Sequence, residues 1–207
     1  MDQDTPAATA RPSARDRLLD TADELFSRDG IARTSVDQVL HHAHVAPGTL
    51  YAHFGGKDGL IAAALHRRLD RWERVWQEAV DAAGTPAEKL LALFDAVADY
   101  RDRYTPGRGC AFLATGTELP DLDHPVRAVI EAESTLLVTR LNELAETVTT
   151  EDPAALAGNV LLVYDGAMAG LQRGRTPDPL GHGKMLARCL IQNAIEAEQA
   201  RVCRAGL

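Results

Sequence analysis

The sequence predicts an all-α protein, on three observations. Apolar residues recur at steps of three and four through every long segment, the period of a helix with one buried face. No stretch alternates apolar and polar residues for long enough to make a strand. Alanine and leucine are plentiful while aromatic residues make up 5% of the chain, a balance that favours helix over sheet. With 207 residues, 45% of them hydrophobic and 25% charged, the chain can bury a sizeable core and form one or two domains.

Residues 1–12 are polar and carry Pro6 and Pro12, so they read as a disordered arm. That arm is either a plain tail or one that reaches nucleic acid through Arg11, helped by Arg15. A first helix follows over 13–29. Ser13-x-x-Asp16 starts it, Leu18, Ala22, Leu25 and Phe26 form its apolar stripe, and Gly30 suits its C-terminal cap.

Residues 34–57, TSVDQVLHHAHVAPGTLYAHFGGK, carry the densest local signals. Ser35-x-x-Gln38 is a capping box, in which the serine oxygen and the glutamine each satisfy an orphan amide at a helix start. The short helix 36–42 buries Val36, Val39 and Leu40, and 43–45 read as a tight turn. Pro47 opens a second helix, 47–53, because its missing N–H is not needed at the first helical position. This helix buries Leu50 and Phe54 and presents Gly48, Thr49, Tyr51 and His53. Gly55-Gly56 ends it and Lys57 opens the next. Two short helices joined by such a turn form a helix-turn-helix, whose second helix can lie in the major groove of DNA. Pro47 and Gly48 belong to the groove-facing side, where Gly48 admits a phosphate closely. Thr49, Tyr51 and His53 carry donors for phosphate or base edges. Thr34, Ser35 and Lys57 are the remaining phosphate contacts, Lys57 adding charge to free amides at a helix N-terminus.

A long helix over 57–83 carries Ile61, Leu65, Leu69, Trp72, Trp76 and Val80 on one face, and 84–86 end it. The helix 86–104 carries Leu90, Phe94 and Val97, and 105–109 break the pattern. Residues 110–120 form a short apolar helical segment. His124-Pro125 starts a helix with Ile130, Leu137, Leu141, Leu144 and Val148 on one face, and 150–153 make a turn. The next helix carries Leu156, Val160, Val163, Ala167 and Leu171. Residues 173–183, rich in Pro and Gly, read as a loop. The last helix, 184–204, buries Leu186, Leu190, Ala194 and Ala197.

These elements give three parts: the arm 1–12, a helix-turn-helix DNA-binding domain 13–58, and a helical ligand-binding and dimerisation domain 59–207. The net charge of −8 argues against a nucleic-acid partner only until it is divided. Residues 1–75 hold 10 Lys and Arg against 11 Asp and Glu, while 76–207 hold 12 against 19, so the acidity belongs to the second part. A local basic face suffices for phosphate contact.

Cys110, Cys189 and Cys203 are odd in number and lack a C-x-x-C spacing, which fits reduced thiols and no zinc site. The N-terminus has no apolar signal region, and the apolar run 160–171 is interrupted by Asp165 and too short to span a bilayer. A cytoplasmic protein with no membrane partner is expected. His41, His42 and His44 have no carboxylate or thiol set beside them, so no metal is expected. Ser134 has no base placed by any motif, and no glycine-rich phosphate loop is present, so neither an enzyme nor a cofactor is expected. Asp165 is either an acid of a pocket or a surface or hydrogen-bonded structural residue.

Trp72, Trp76, Phe94, Tyr100, Tyr104, Phe112, Tyr164 and Met168 either line an apolar pocket, with Cys110 and the tyrosines as its polar groups, or simply fill the core. No buried charge stands out, which points to an apolar or aromatic ligand. The last two helices show more apolar surface than one neighbour needs. Leu156, Val160, Val163, Ala167, Gly170, Leu186, Leu190 and Ala194 either pack within one subunit or form a symmetric four-helix interface, with Gly166-x-x-x-Gly170 admitting a close helix.

The run Val45-Ala-Pro-Gly48-Thr49-Leu50-Tyr51-x-His53-Phe54-x-x-Lys57-x-x-Leu60, with Phe26-x-x-x-Gly30-x-x-x-Thr34-Ser35-Val36 before it, resembles the TetR family of bacterial transcription regulators over about 18–60. RGCAFLATGTEL ahead of HPV, and VYDGAMAG later, resemble one branch of it. Three positions depart from the family pattern: His44 and Ala46 stand where glycine and serine are usual, and Gly59 where a better helix former is usual. The resemblance implies a three-helix DNA-binding head joined by a long helix to an all-helical regulatory domain, whose last two helices pair with those of a second subunit. It implies a homodimer on a palindromic double-stranded operator, a repressor released by a small effector of unknown identity. The alternatives are a DNA-binder controlled by a protein partner or by abundance, or a helical small-molecule-binding protein or enzyme with a vestigial head.

Overall fold

The computed structural model describes residues 12–104, 110–118 and 124–205. The arm, with Arg11, lies outside the described residues apart from Pro12. Among the described residues every regular element is a helix: α1 (Ala14–Asp29), α2 (Val36–Ala43), α3 (Pro47–Phe54), α4 (Lys57–Ala82), α5 (Pro86–Tyr104), α6 (Ala111–Glu118), α7 (His124–Glu146), α8 (Pro153–Arg173) and α9 (Pro179–Ala205). The chain divides into two units, residues 1–64 and 65–207, with the division inside α4.

In the first unit, α1 packs against α2 and α3. Ser13 caps α1 by accepting the Asp16 amide at 3.1 Å, and Gly30, at φ 89°, donates its own amide to Phe26 to close the helix. The core is Leu18, Leu19, Ala22, Leu25, Phe26, Val39, Leu40, Leu50, Leu60 and Ile61.

In the second unit, α8 packs between α7 and α9, and α5 lies against α7 and α9. Trp76, Leu90, Leu93, Phe94, Leu141, Val160 and Ile191 are buried at its centre. The tight approach of α9 depends on Gly183: a Cβ there would lie 2.9 Å from the Phe94 ring and 3.0 Å from Ala167.

Two expectations for α9 are corrected. It starts at Pro179, five residues before the expected 184, because Asp178 caps it by accepting the Gly181 amide at 3.0 Å and proline tolerates the first helical position. Its buried stripe is Ala187 and Ile191, one residue round from the expected Leu186–Leu190. Both stripes are apolar, so periodicity alone does not choose between them. Likewise α8, at 21 residues, is long and apolar enough to cross a bilayer, unlike the shorter run read from sequence. It nonetheless packs Leu156, Val160, Tyr164, Ala167 and Met168 into the core.

Candidate nucleic-acid interface and ligand cavity

Local chemistry builds the helix-turn-helix. The capping box is complete: Gln38 N–H donates to Ser35 Oγ at 3.2 Å and Ser35 N–H donates to Gln38 Oε1 at 2.8 Å. His44 ends α2 in the left-handed region, φ 52° and ψ 50°, the conformation for which glycine is the cheaper residue. Its amide donates to His41, and the Val45 amide to Leu40. Arg17 Nε donates to the Ala43 carbonyl at 3.2 Å, tying α1 to the end of α2. Ala46 gives α3 no side-chain cap, and Pro47 fills the first position.

On α3, Leu50 is buried while Pro47, Gly48, Tyr51 and His53 are exposed and Thr49 is half-buried. Tyr51, at 58% exposure, presents a large ring to solvent, and a Cβ at Gly48 would meet nothing within 4 Å. Phe54 is half-buried, with the Arg15 guanidinium 5.7 Å from its ring centre. Lys57 stands half-buried at the first position of α4. Ser35 is exposed beside the α2 amides.

Thr34 does not join this set. It is 1% exposed, and its hydroxyl donates to the Gly30 carbonyl at 2.7 Å, with Leu25 O at 3.4 Å. Its side chain latches the end of α1, so the expected phosphate contact is corrected to a structural one. His41, His42 and His44 are exposed, with ring centres 5.6 and 6.5 Å from His41, and no metal-capable group of three occurs among the described residues.

The second unit contains a cavity of about 60 Å³. Of the expected pocket residues, Trp72, Tyr100, Cys110, Phe112, Tyr164 and Met168 line it. Trp76 and Phe94 are instead core, and Tyr104 is 43% exposed, with its ring beneath Arg71. Sequence reasoning missed Val97, Ala111 and, above all, three charged residues: Arg68, Arg101 and Glu133. Arg68 and Glu133 are 8% and 7% exposed, which corrects the expectation of no buried charge. A signal existed. Glu133 occupies an apolar slot between Val129 and Leu137 at steps of four, and Arg68 sits four before Trp72. Burial, then the nearby Asp165 charge, lifts the Glu133 carboxyl to about 7. Burial lifts the Cys110 thiol to about 11 and the Tyr164 hydroxyl well above its usual range. Asp165 itself lies on the exposed side of α8. A wider cleft of about 380 Å³, bordered by Lys184 and its ion-pair partner Asp95, lacks an aromatic wall.

Of the expected interface residues, Leu156, Val160 and Ala167 are buried within their own subunit. Gly170 is close-packed internally, since a Cβ there would lie 2.9 Å from Pro179. Val163, Leu190 and Ala194 are half-buried, and Leu186 is 53% exposed. The outward face of α8 is instead Gly158, Leu162 and Gly166, with Leu162 72% exposed and open space beside both glycines.

Residues 18–64 match the pattern of bacterial regulatory proteins of the tetR family, and 86–182 match a tetracyclin repressor-like C-terminal domain. The HTH-type transcriptional regulator YjdC of Escherichia coli K12 is 26% identical over 87% of this chain and 94% of its own length. The HTH-type transcriptional repressor KstR2 of Mycolicibacterium smegmatis is 36% identical over 45% of each chain. A TetR-family regulator from Streptomyces coelicolor superposes with a TM-score of 0.75 at 29% identity, covering 89% of this chain and 95% of that one. The helical architecture, the helix-turn-helix and these matches agree: the chain belongs to the tetR family of DNA-binding bacterial transcription regulators.

Proposed function

We propose that the protein is a homodimeric repressor that grips a palindromic operator with two copies of α3 and lets go when a small effector enters the cavity. One observation carries the DNA reading: the exposed Pro47–Gly48–Tyr51–His53 side of α3, flanked by Ser35 and Lys57 at two helix starts. Two such heads suit half-sites about 34–36 Å apart or a multiple of it. The domain division is 13–58 for the head and 59–207 for the regulatory and dimerisation part, in a cytoplasmic protein. The dimer face is the outward side of α8 and α9, where Leu162, Met185 and Leu186 are exposed.

The release step uses α4. Lys57 stands at its start, and Arg68 and Trp72, on the same helix, line the cavity. A ligand that binds one setting of α4 better than another shifts the operator-binding equilibrium by that difference. A second reading, control by a protein partner or by abundance, is favoured by the cavity's volume, well below the roughly 300 Å³ usual for ligand pockets. Gel-shift titration with the DNA upstream of the protein's own gene tests the first claim. Saturable, salt-sensitive binding is expected, and no shift at low salt would overturn it. A rise in melting temperature with a ligand that also releases the DNA separates the two modes of control.

A further inference from the structure

The cavity holds an acid that nothing in the described protein neutralises. Glu133 has no hydrogen bond or ion pair among the described residues, and the charge acting on it is another carboxylate, Asp165. The lining cations Arg68 and Arg101 already have partners, which leaves them less to offer an incoming anion. The Trp72 indole N–H is buried without a partner, and the Trp72 and Tyr100 rings meet edge to face at 6.0 Å. A buried carboxylate is costly unless an opposite charge is brought to it, and aromatic faces add attraction for a cation.

We infer that the cavity takes a small organic amine in its ammonium form, the charge seated against the Glu133 carboxylate and the apolar body against Trp72, Tyr100 and Phe112. The inference rests on the reading of this cavity as the effector site. About 60 Å³, well under the roughly 150 Å³ of a cavity that holds benzene, restricts the body to a short chain of a few carbons. On binding, the ammonium keeps its protons, and a protonated Glu133 loses one to solvent. Affinity therefore rises with pH until Glu133 is already ionised in the free protein. The other titratable or charged groups lining this site are Tyr164 from α8, Cys110 ahead of α6, Arg68 from α4 and Arg101 from α5, while Asp165, on the exposed side of α8, acts on Glu133 through its charge. Cys110 and Tyr164 titrate well above the range concerned.

Calorimetry on the full chain with propylammonium, 1-propanol and propanoate, which share one short chain and differ in charge, tests this. Propylammonium is expected to bind at least about tenfold tighter than the other two at about pH 8, and several-fold more weakly at about pH 6. At the lower pH, buffers of different ionisation heat should report release of close to one proton. Glu133→Gln should remove both the preference and the proton release. Tighter propanoate binding, or equal binding of all three, overturns the amine while leaving the effector site standing. Failure of all three at millimolar concentration overturns the effector site as well. Should Glu133→Gln fail to fold, the probe ranking and proton count on the parent protein still decide.

Discussion

Gly59 shows how one residue can contradict a propensity scale. Glycine within a helix ordinarily costs about 1 kcal/mol relative to alanine, and a better helix former is usual here. Yet a Cβ at Gly59 would lie 1.8 Å from the Phe54 carbonyl oxygen, so the glycine is required where α4 starts beneath α3. Gly59→Ala is expected to destabilise the head by about 1–3 kcal/mol, read as a lower melting temperature by calorimetry; a gain would show that the start of α4 relaxes freely. Thr34 and Lys57 separate in the same way. Thr34→Val leaves the Gly30 carbonyl without its donor and is expected to cost about 1–3 kcal/mol of stability while sparing the salt dependence of DNA binding. Lys57→Ala should leave stability alone, weaken binding to all sequences and reduce the salt slope by about one. Gel shifts at several salt concentrations, beside thermal melts, distinguish them.

At the scale of elements, what was legible in the sequence was local. The Ser35–Gln38 box, Pro47, Gly30 and Gly55 act on their own neighbours, so α1 to α3 follow from short-range chemistry. The burial of α9 was not legible, because its two apolar stripes differ only in what α5 and α8 offer them. The same holds for α7, where Glu133 keeps the helical step but breaks the apolar rule, and a charge in a buried slot becomes visible only once its neighbours are placed. Gly183→Val tests the packing: a larger side chain against Phe94 and Ala167 should cost about 1–3 kcal/mol, measured by urea unfolding. Glu133 also fixes a pH trend. Its carboxyl stays protonated in the fold up to about 7 but ionises near 4.5 when unfolded, so its contribution is complete below 4.5 and lost as pH rises to 7. Stability of the second unit should fall across that window by at most about 3 kcal/mol, and Glu133→Gln should flatten the fall. Glu198, held at about 2 chiefly by the Thr150 hydroxyl and Arg201, acts in the opposite sense and only below 4.5.

For the whole molecule, the proposed assembly has a direct test. Leu162→Arg places a charge on the outward face of α8 without touching the core. It is expected to yield monomers by light scattering and to weaken operator binding at least about tenfold while the helical signal stays unchanged. A variant that remained dimeric would move the interface elsewhere.

Among the 26 residues of α4, Gly59 is the sole glycine and no proline occurs, and that glycine is wedged under a carbonyl. The helix thus lacks an elbow. Under the proposed effector control, a signal from the aromatic hollow would pass along a stiff spar, and giving that spar a joint should deafen the protein while leaving its grip on DNA intact.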